Sequence, residues 1–291
     1  MQKSPAVSLV MAIYNSARYL PETMESIFNQ TFTDYEIVIV DDGSTDNGPE
    51  LVEGYACPQV KLLRRPHNFI ASLNAAMQEA RGKYIARMDS DDIMLPHRLQ
   101  TQFDFMEAHP QIDVAGSGCE WFGARQRVID CLPAHASIVT TMLLGNPFIN
   151  PTTMIRRASV ARRIEQGIYH PDYAFLEDYK LWSELAMEGL HFANLPEVLL
   201  KYRCTDTQAS AVHQKEVSRK ARIIQEEYGK YIFEEIIRLA PAYETSLRES
   251  VRLFRQNKMN AADLQQLLYQ TFRHLLARND AGTPETAAGK G

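Results

Sequence analysis

A mainly apolar run from Val7 to Ile13 stops at Tyr14-Asn15, and a second, over residues 35–40, stops at Asp41-Asp42-Gly43. Runs this short and this apolar predict strands buried on both faces, as in a parallel sheet. Between them Leu20, Met24, Ile27 and Phe28 recur at helical spacing behind Pro21, which predicts a helix laid against that sheet. The alternation continues with a helix over 46–55, a strand over 60–63, a helix carrying Leu73, Ala76, Met77 and Ala80, and a strand over 84–88 that stops at Asp89. Pro96 opens a helix bearing Leu99, Phe103 and Met106, a strand follows over 112–115, and a hairpin is expected around Gly123. From 146 to 203 the pattern is mixed, with a strand near 152–155, a helix over 178–188 and a final strand over 198–202. Beyond 214 the sequence turns charged and helix-favouring: Ile223, Ile224, Tyr228, Ile232, Ile236 and Ile237 fall at helical spacing, and helices are expected over 243–256 and 261–277. The order predicts an α/β sandwich with a mixed, mainly parallel sheet and a C-terminal helical extension.

Composition narrows the function classes. With 291 residues, 45% of them hydrophobic, the chain has material for a domain of roughly 200–250 residues plus an appendage. Thirty-one basic residues against 36 acidic ones leave a net charge of −5, which removes any general attraction to nucleic acid or anionic lipid and leaves only local basic faces for either. The apolar runs fall far short of the roughly 20 residues of a membrane span, and no signal-peptide pattern opens the chain, so a cytoplasmic protein is expected. Cys57, Cys119, Cys131 and Cys204 are scattered without a CxxC pair, so neither a zinc site nor a disulfide framework is expected.

The candidate chemistry lies where strands stop. In open α/β sheets, ligands bind at the carboxyl ends of strands. Tyr14 follows the first strand, Asp41-Asp42 the second, and Asp89-Ser90-Asp91-Asp92 the strand ending at Met88. Clustered carboxylates are costly unless a cation neutralises them, and hard oxygen ligands with open positions suit Mg²⁺ or Mn²⁺ holding a diphosphate. Each piece has a plainer reading: Asp-Gly-Ser is ordinary turn chemistry, and aspartates ahead of Pro96 complement a helix dipole.

Together these pieces resemble the family 2 glycosyltransferases. The matching segments are Val7 to Asn15, Ser26-Ile27-Phe28-Asn29-Gln30-Thr31, Val40-Asp41-Asp42-Gly43-Ser44-Thr45-Asp46, Ala80 to Asp92, and Glu177-Asp178-Tyr179-Lys180-Leu181-Trp182. They stand in the family's order over roughly residues 5–210. The resemblance implies a Rossmann-like GT-A domain over 1–213, with a nucleotide-binding half over 1–115 and an acceptor-binding half over 116–213. A helical region over 214–278 and a flexible tail over 279–291 would follow it.

What the resemblance implies for residues is specific. Asp42 would accept a hydrogen bond from the nucleotide base, Tyr14 would pack on that base, and Ala12 would give close backbone contact; a uracil N–H suits an acceptor-only carboxylate. Asp89 and Asp91 match the Asp-x-Asp element, the first by the ribose and the second on a metal, Mn²⁺ or Mg²⁺, that bridges the diphosphate. Asp178 matches the general base that deprotonates an acceptor hydroxyl opposite the leaving diphosphate. Glu177, Asp92 and Arg203 are placed in the donor and acceptor vicinity, although Asp92 reads equally as a helix cap and an acidic pair at a helix start is ordinarily dipole complementarity. Arg65 and Asn74 are candidates for nucleotide contacts, against equal readings as a solvated arginine and a helix-surface asparagine.

The chain departs from the family pattern at two places. Thr205 stands where many relatives carry a histidine near the metal, leaving Asp206 or His213 as substitutes, or the metal to Asp91, phosphate and water. The segment His67 to Asn74 lacks a glycine two positions after its asparagine, which suggests a shortened loop. The expected activity is inverting transfer from a nucleotide sugar, a UDP-sugar first, to a hydroxyl of a glycan or lipid-linked acceptor in polysaccharide or lipopolysaccharide biosynthesis. The rivals are a nucleotidyltransferase, which should show a Gly-rich phosphate loop that Ala12 to Asn15 lacks, and a noncatalytic sugar-nucleotide or glycan-binding relative. Lys215, Arg219, Lys220 and Arg222 suggest peripheral attachment to the inner face of the membrane, whereas Glu226, Glu227, Glu234 and Glu235 favour helices that cover the catalytic domain or join two subunits.

Overall fold

Strand β1 (Val7–Ile13) lies in the middle of the first half of the sheet, paired in parallel with β2 (Tyr35–Asp41) on one side and β4 (Tyr84–Asp89) on the other. The structure is a computed structural model describing residues 4–205 and 213–280. Because side chains alternate along a strand, Leu9, Met11 and Ile13 enter one apolar layer with α1 (Leu20–Phe28) and α4 (Arg98–Ala108). Val10 enters the opposite layer with α3 (Phe69–Glu79) and α7 (Glu177–Met187). Burial on both faces is what makes these strands continuous apolar runs in the sequence.

The sheet order is β3-β2-β1-β4-β8-β6-β9-β5, with β7 added to β6. Here β3 is Val60–Arg64, β5 Ile93–Met94, β6 Val114–Gly123, β7 Arg127–Ile129, β8 Met154–Arg156 and β9 Phe192–Cys204. Strand β8 is antiparallel to both β4 and β6, so β6 and its parallel partner β9 run the same way as β1 to β4. The sheet is mixed and mainly parallel, as the alternating pattern predicts. The remaining helices are α2 (Gly48–Gly54), α5 (His135–Thr141), α6 (Arg157–Gln166), α8 (Gln214–Leu239), α9 (Glu244–Arg255) and α10 (Ala261–Asp280).

The second half differs most from expectation. Strand β9 begins at Phe192, not near 198, because Pro196 interrupts the readable run; its register against β6 skips from Leu195 to Val198 across a bulge. Helix α6 buries only Val160 and Ile164, too few positions to raise a periodic signal, and the two-residue β5 has no period at all.

The C-terminal helices share a core with the α/β layer. Ile224, Tyr228, Ile232 and Ile236 form one buried stripe of α8 in the same apolar cluster as Tyr179, Leu181 and Trp182 of α7, and Leu268 and Phe272 of α10 join it. The Tyr228 hydroxyl donates to the Val139 carbonyl at 2.9 Å, and Lys180 of α7 meets Glu227 of α8 at 2.6 Å. The apolar face of α8 therefore covers the layer that contains α7. Among the described residues no helix is long and apolar enough to cross a membrane.

Truncating one of these side chains should be felt by the whole chain. Ile232→Ala should cost about 2–5 kcal/mol, and denaturant unfolding followed by both tryptophan fluorescence and far-UV dichroism should show one transition shifted together in both signals.

Candidate active site

The loops after β1 and β2 are zipped to each other. Asn15, at φ +48°, accepts from the Thr45 backbone at 2.8 Å through Oδ1, and its own N–H donates to Ser44 Oγ at 3.1 Å. Asp41 Oδ1 accepts from Ser44 N at 2.9 Å, and Asp46 accepts from Ala17 N at 2.8 Å. Gly43 sits at φ +77°, where an added Cβ would lie 2.9 Å from the His67 backbone nitrogen, so any side chain would push the third loop away.

These contacts fix a corner made by Asp42, His67 and Tyr14. Asp42 is buried; its Oδ1 accepts from Asn68 N at 2.7 Å and from Ser72 Oγ at 2.6 Å. His67 Nδ1 donates to the Asp42 carbonyl at 3.1 Å and lies 2.9 Å from Oδ2, yet Oδ2 has no hydrogen bond. A buried carboxylate oxygen that makes no hydrogen bond, beside an imidazole N–H already given to a carbonyl, keeps lone pairs that an N–H arriving from a ligand would use. Tyr14 is 47% exposed and stacks on His67 with ring centroids 4.2 Å apart, leaving an aromatic face beside that oxygen. Ala12 pairs with Val40 and with Asp89, so it joins this corner to the acid turn. His67 was not among the sequence-derived candidates; its only signal was its place before Asn68, which caps α3 by accepting from Ala71 N.

The acid turn after β4 is built on two buried arginines. Arg87 pairs with Asp89 Oδ1 at 2.8 Å and also donates to the Met88 carbonyl, while its Nε has no partner. Burial alone would lower the Arg87 pKa, but Asp89, Tyr169, Glu177 and Asp178 around it leave it raised. Arg98, fully buried on the other side, donates to the Arg87 carbonyl at 2.9 Å, and burial lowers its pKa to about 9 against the pull of Asp92 and Asp89. Arg87 is legible in retrospect as a charge inside an otherwise apolar strand.

Asp91 is half-buried, and burial followed by the charge on Asp89 raises its pKa to about 6. Asp92 does not cap α4, which begins at Arg98 with His97 as its N-cap. Instead its Oδ1 accepts from the Arg203 backbone N–H at 2.7 Å, its carbonyl accepts from Thr23 Oγ1 at 2.9 Å, and its buried Oδ2 has no hydrogen bond. Arg203 Nε donates to the Asp91 carbonyl at 2.7 Å and its guanidinium pairs with Glu22 and covers the Tyr19 and Phe122 rings. Arg203 thus holds the acid turn to the end of β9.

The second acid group opens α7. Asp178 Oδ1 accepts from Tyr179 N at 2.7 Å, and Oδ2 accepts from Asn146 Nδ2 at 2.7 Å, which fixes the plane of the carboxylate. Burial raises its pKa to about 6, the two hydrogen bonds opposing, with Asp89 adding and Arg87 subtracting. Glu177 is buried with Oε2 unpartnered, and burial followed by Asp178 raises it to about 8. The hydroxyl of buried Tyr169 likewise has no partner, and Tyr169, Glu177 and Asp178 all act on Arg87. Asn146, Tyr169 and Arg87 were missed by sequence reasoning; Asn146, in a loop with no periodic pattern, carried no signal.

Other expected residues lie elsewhere. Asn74 spends its amide on the Tyr169 backbone, donating at 2.9 Å and accepting at 2.8 Å, so it clips α3 to the loop after α6 and does not reach toward a nucleotide. Arg65 is exposed beside Gly43, with its backbone N–H donating to the Asp41 carbonyl at 2.9 Å. His213 stacks on Phe175 with ring centroids 4.3 Å apart, two residues ahead of Glu177. Thr205 follows the end of β9, and Asp206 lies outside the described residues. A polar cleft of about 360 Å³ between α7 and α8 is lined by His170, Tyr173, Lys180, Glu184, Lys220 and Glu227, and none of the acids above lines it.

No group of three or more His, Cys, Asp or Glu among the described residues is arranged to hold a metal ion. Asp89 shares one oxygen with Arg87, which leaves Asp91 and the second Asp89 oxygen as hard donors. That donor set fits Mg²⁺ or Mn²⁺ carried in by a diphosphate, because such ions are commonly held by one or two carboxylates and completed by phosphate and water.

The buried carboxyl of Glu177 has a consequence for stability. With its pKa raised from 4.5 to about 8, the folded chain keeps a proton that the unfolded chain gives up, so this group lowers stability as pH rises through that window. Glu177→Gln should flatten the fall in stability between about pH 5 and 8 in urea titrations at stepped pH; an unchanged slope would show that Glu177 ionises normally.

Comparison with known proteins bears on what this arrangement does. Residues 8–162 match the family model described as glycosyl transferase family 2. An uncharacterized glycosyltransferase of Haemophilus influenzae is 34% identical, covering 94% of this chain and 88% of its own. The O-antigen biosynthesis glycosyltransferase WbnJ of Escherichia coli is 30% identical over 71% of this chain and 83% of its own. Among solved structures, S. aureus TarS residues 1–349 in complex with UDP-GlcNAc superposes with a TM-score of 0.64 at 18% identity, covering 95% of this chain and 92% of that one. The mannosyltransferase PcManGT of Pyrobaculum calidifontis, in complex with GDP-Man and Mn²⁺, gives 0.59 at 18% identity over 97% of this chain and 77% of its own. The fold is that of the GT-A glycosyltransferases, and the chain belongs to glycosyl transferase family 2.

Proposed function

We propose that this glycosyltransferase moves a sugar from a UDP-sugar to a hydroxyl of a glycan or lipid-linked acceptor, with inversion at the anomeric carbon, in the making of a surface polysaccharide or lipopolysaccharide. The observation that carries the reading is the convergence on Arg87 of two acid groups far apart in sequence, Asp89 with its turn and Glu177-Asp178. The O-antigen assignment of WbnJ and the UDP-GlcNAc bound by TarS support the acceptor and donor classes. Family membership favours glycosyl over nucleotidyl transfer.

The roles follow from the contacts. The base stacks on Tyr14, and a uracil N–H donates to Asp42 Oδ2, the buried oxygen that makes no hydrogen bond of its own. Asp91 and Asp89 would hold the metal ion, which would supply positive charge to the departing diphosphate. Asn146 and the Tyr179 N–H hold Asp178 with lone pairs left over to receive a proton. Asp178 takes that proton as the acceptor oxygen attacks the anomeric carbon and the bond from that carbon to the diphosphate breaks. A carboxylate raised to about 6 is a stronger base than an ordinary one and is still ionised at neutral pH.

Two outcomes test the assignment. Asp178→Asn should lower transfer roughly 10²–10⁴-fold while calorimetric UDP binding is retained, and an unchanged rate would remove Asp178 as the base. The wild-type rate under saturating donor and acceptor should fall as pH drops through about 6, since protonated Asp178 cannot accept. A screen of nucleotide sugars with and without Mn²⁺, reading released nucleoside diphosphate, identifies the donor; activity undiminished by chelation, or by Asp91→Asn, would overturn the metal role.

A further inference from the structure

The transfer reading leaves the basic residues at the start of α8 unused. Lys220 turns inward, buried, with Nζ 2.7 Å from Glu216 Oε1. Lys215, Arg219 and Arg222 instead stand exposed with Ser218 along one face of the helix, at the i, i+4 and i+7 spacing that aligns side chains. None of the three has an ion pair or hydrogen bond among the described residues. Glu216, whose charge Arg219 also feels, is spent on Lys220, and Glu227 is spent on Lys180. The three cations occupy the first turns of a 26-residue helix, the end where the helix dipole is itself positive, so charge and dipole add.

This stripe flanks the proposed acceptor side. His213, the N-cap of α8, stacks on Phe175 ahead of Glu177-Asp178, and α7 is tied to α8 through Lys180 and Glu227. The cations stand over about 10 Å of the helix axis around a shallow hollow shared with Gln214 and Ser218, Arg219 also bordering the cleft toward Glu184 and Glu227. They are exposed and do not converge on a buried polar group, a layout that suits several anionic headgroups in a plane. With a net charge of −5, the chain as a whole is repelled by such a surface, so attraction must come from a local stripe, and a local stripe imposes one orientation.

We infer that Lys215, Arg219 and Arg222 form a docking stripe for an anionic lipid bilayer, which seats the Asp178 side of the molecule against the headgroups. The docking rests on charge alone, whereas its use in bringing a lipid-linked acceptor to Asp178 rests on the transfer reading.

The test is co-sedimentation of the full chain with vesicles of phosphatidylcholine and phosphatidylglycerol in equal parts, against phosphatidylcholine alone. Binding should require phosphatidylglycerol and weaken as salt is raised. Substituting any one of the three by Gln should lower the partition coefficient about fivefold, and K215Q/R219Q/R222Q together about a hundredfold, while R219K/R222K keeps it. Nucleoside diphosphate release with a soluble acceptor and no vesicles should be the same in the triple variant as in the wild type. Wild-type indifference to phosphatidylglycerol, or undiminished binding by the triple variant, would overturn the proposal. So would a triple variant that loses capture of inorganic polyphosphate but keeps its vesicle partition, since the stripe would then serve a soluble phosphate. If the triple variant melts early, the single substitutions decide. Asp178→Asn should bind vesicles like the wild type, so a failed transfer reading and a failed docking stripe give different results.

Discussion

The buried guanidinium of Arg87 is the constraint on which the site depends. A cation taken out of water at the centre of a sheet is tolerable only if opposite charge stands near it, and here that charge comes from Asp89 at its own strand end, paired at 2.8 Å, and from Asp178 on α7. Arg87 in turn offsets part of the burial and repulsion that raise the carboxyl pKa values of Asp91, Glu177 and Asp178. Breaking such an arrangement from either side leaves an uncompensated charge, so the charge balance that folds the site also holds its two acid groups together.

A second constraint acts on the loops. The bonds between Asn15 and Ser44-Thr45, and from Asp46 to Ala17, turn two strand-end loops into one rigid rim, and Gly43 lets the third loop close on it. Tyr14 stands 47% exposed on this rim, stacked on His67. Among the buried polar atoms without a hydrogen bond, Asp42 Oδ2 lies at this rim, Asp92 Oδ2 at the acid turn and Glu177 Oε2 at the start of α7. Such groups are rare in folded proteins, and a bound ligand is one of the things that completes them.

Much of this was legible in the sequence, and the reason differs by region. β1, β2 and β4 announced themselves because burial on both faces forces unbroken apolar runs, and their ends were legible because the run stops at acids. The stripe Ile224, Tyr228, Ile232 and Ile236 was legible because a helix on a core keeps strict spacing. Asn146 and His67 were not, because a loop residue's role is set by where tertiary structure carries it. Asn74 shows the converse: a polar residue near the right motif, whose amide is consumed by the Tyr169 backbone. Asp92 read equally as a helix cap and as a site residue from its neighbours in sequence; its partner is Arg203, on a strand contributed by the far half of the chain.

Helix α7 carries Asp178 in its first turn and, within the next, both Lys180, bound to Glu227 of α8, and Trp182, packed in the core that α8 shares. Base and covering helix are therefore one mechanical piece. A displacement of α8 passes to the first turn of α7 through the Lys180–Glu227 pair and the Tyr179 and Trp182 rings in the shared core. Whatever holds the outer helix still also steadies the Asp178 carboxylate, from the far side of the molecule.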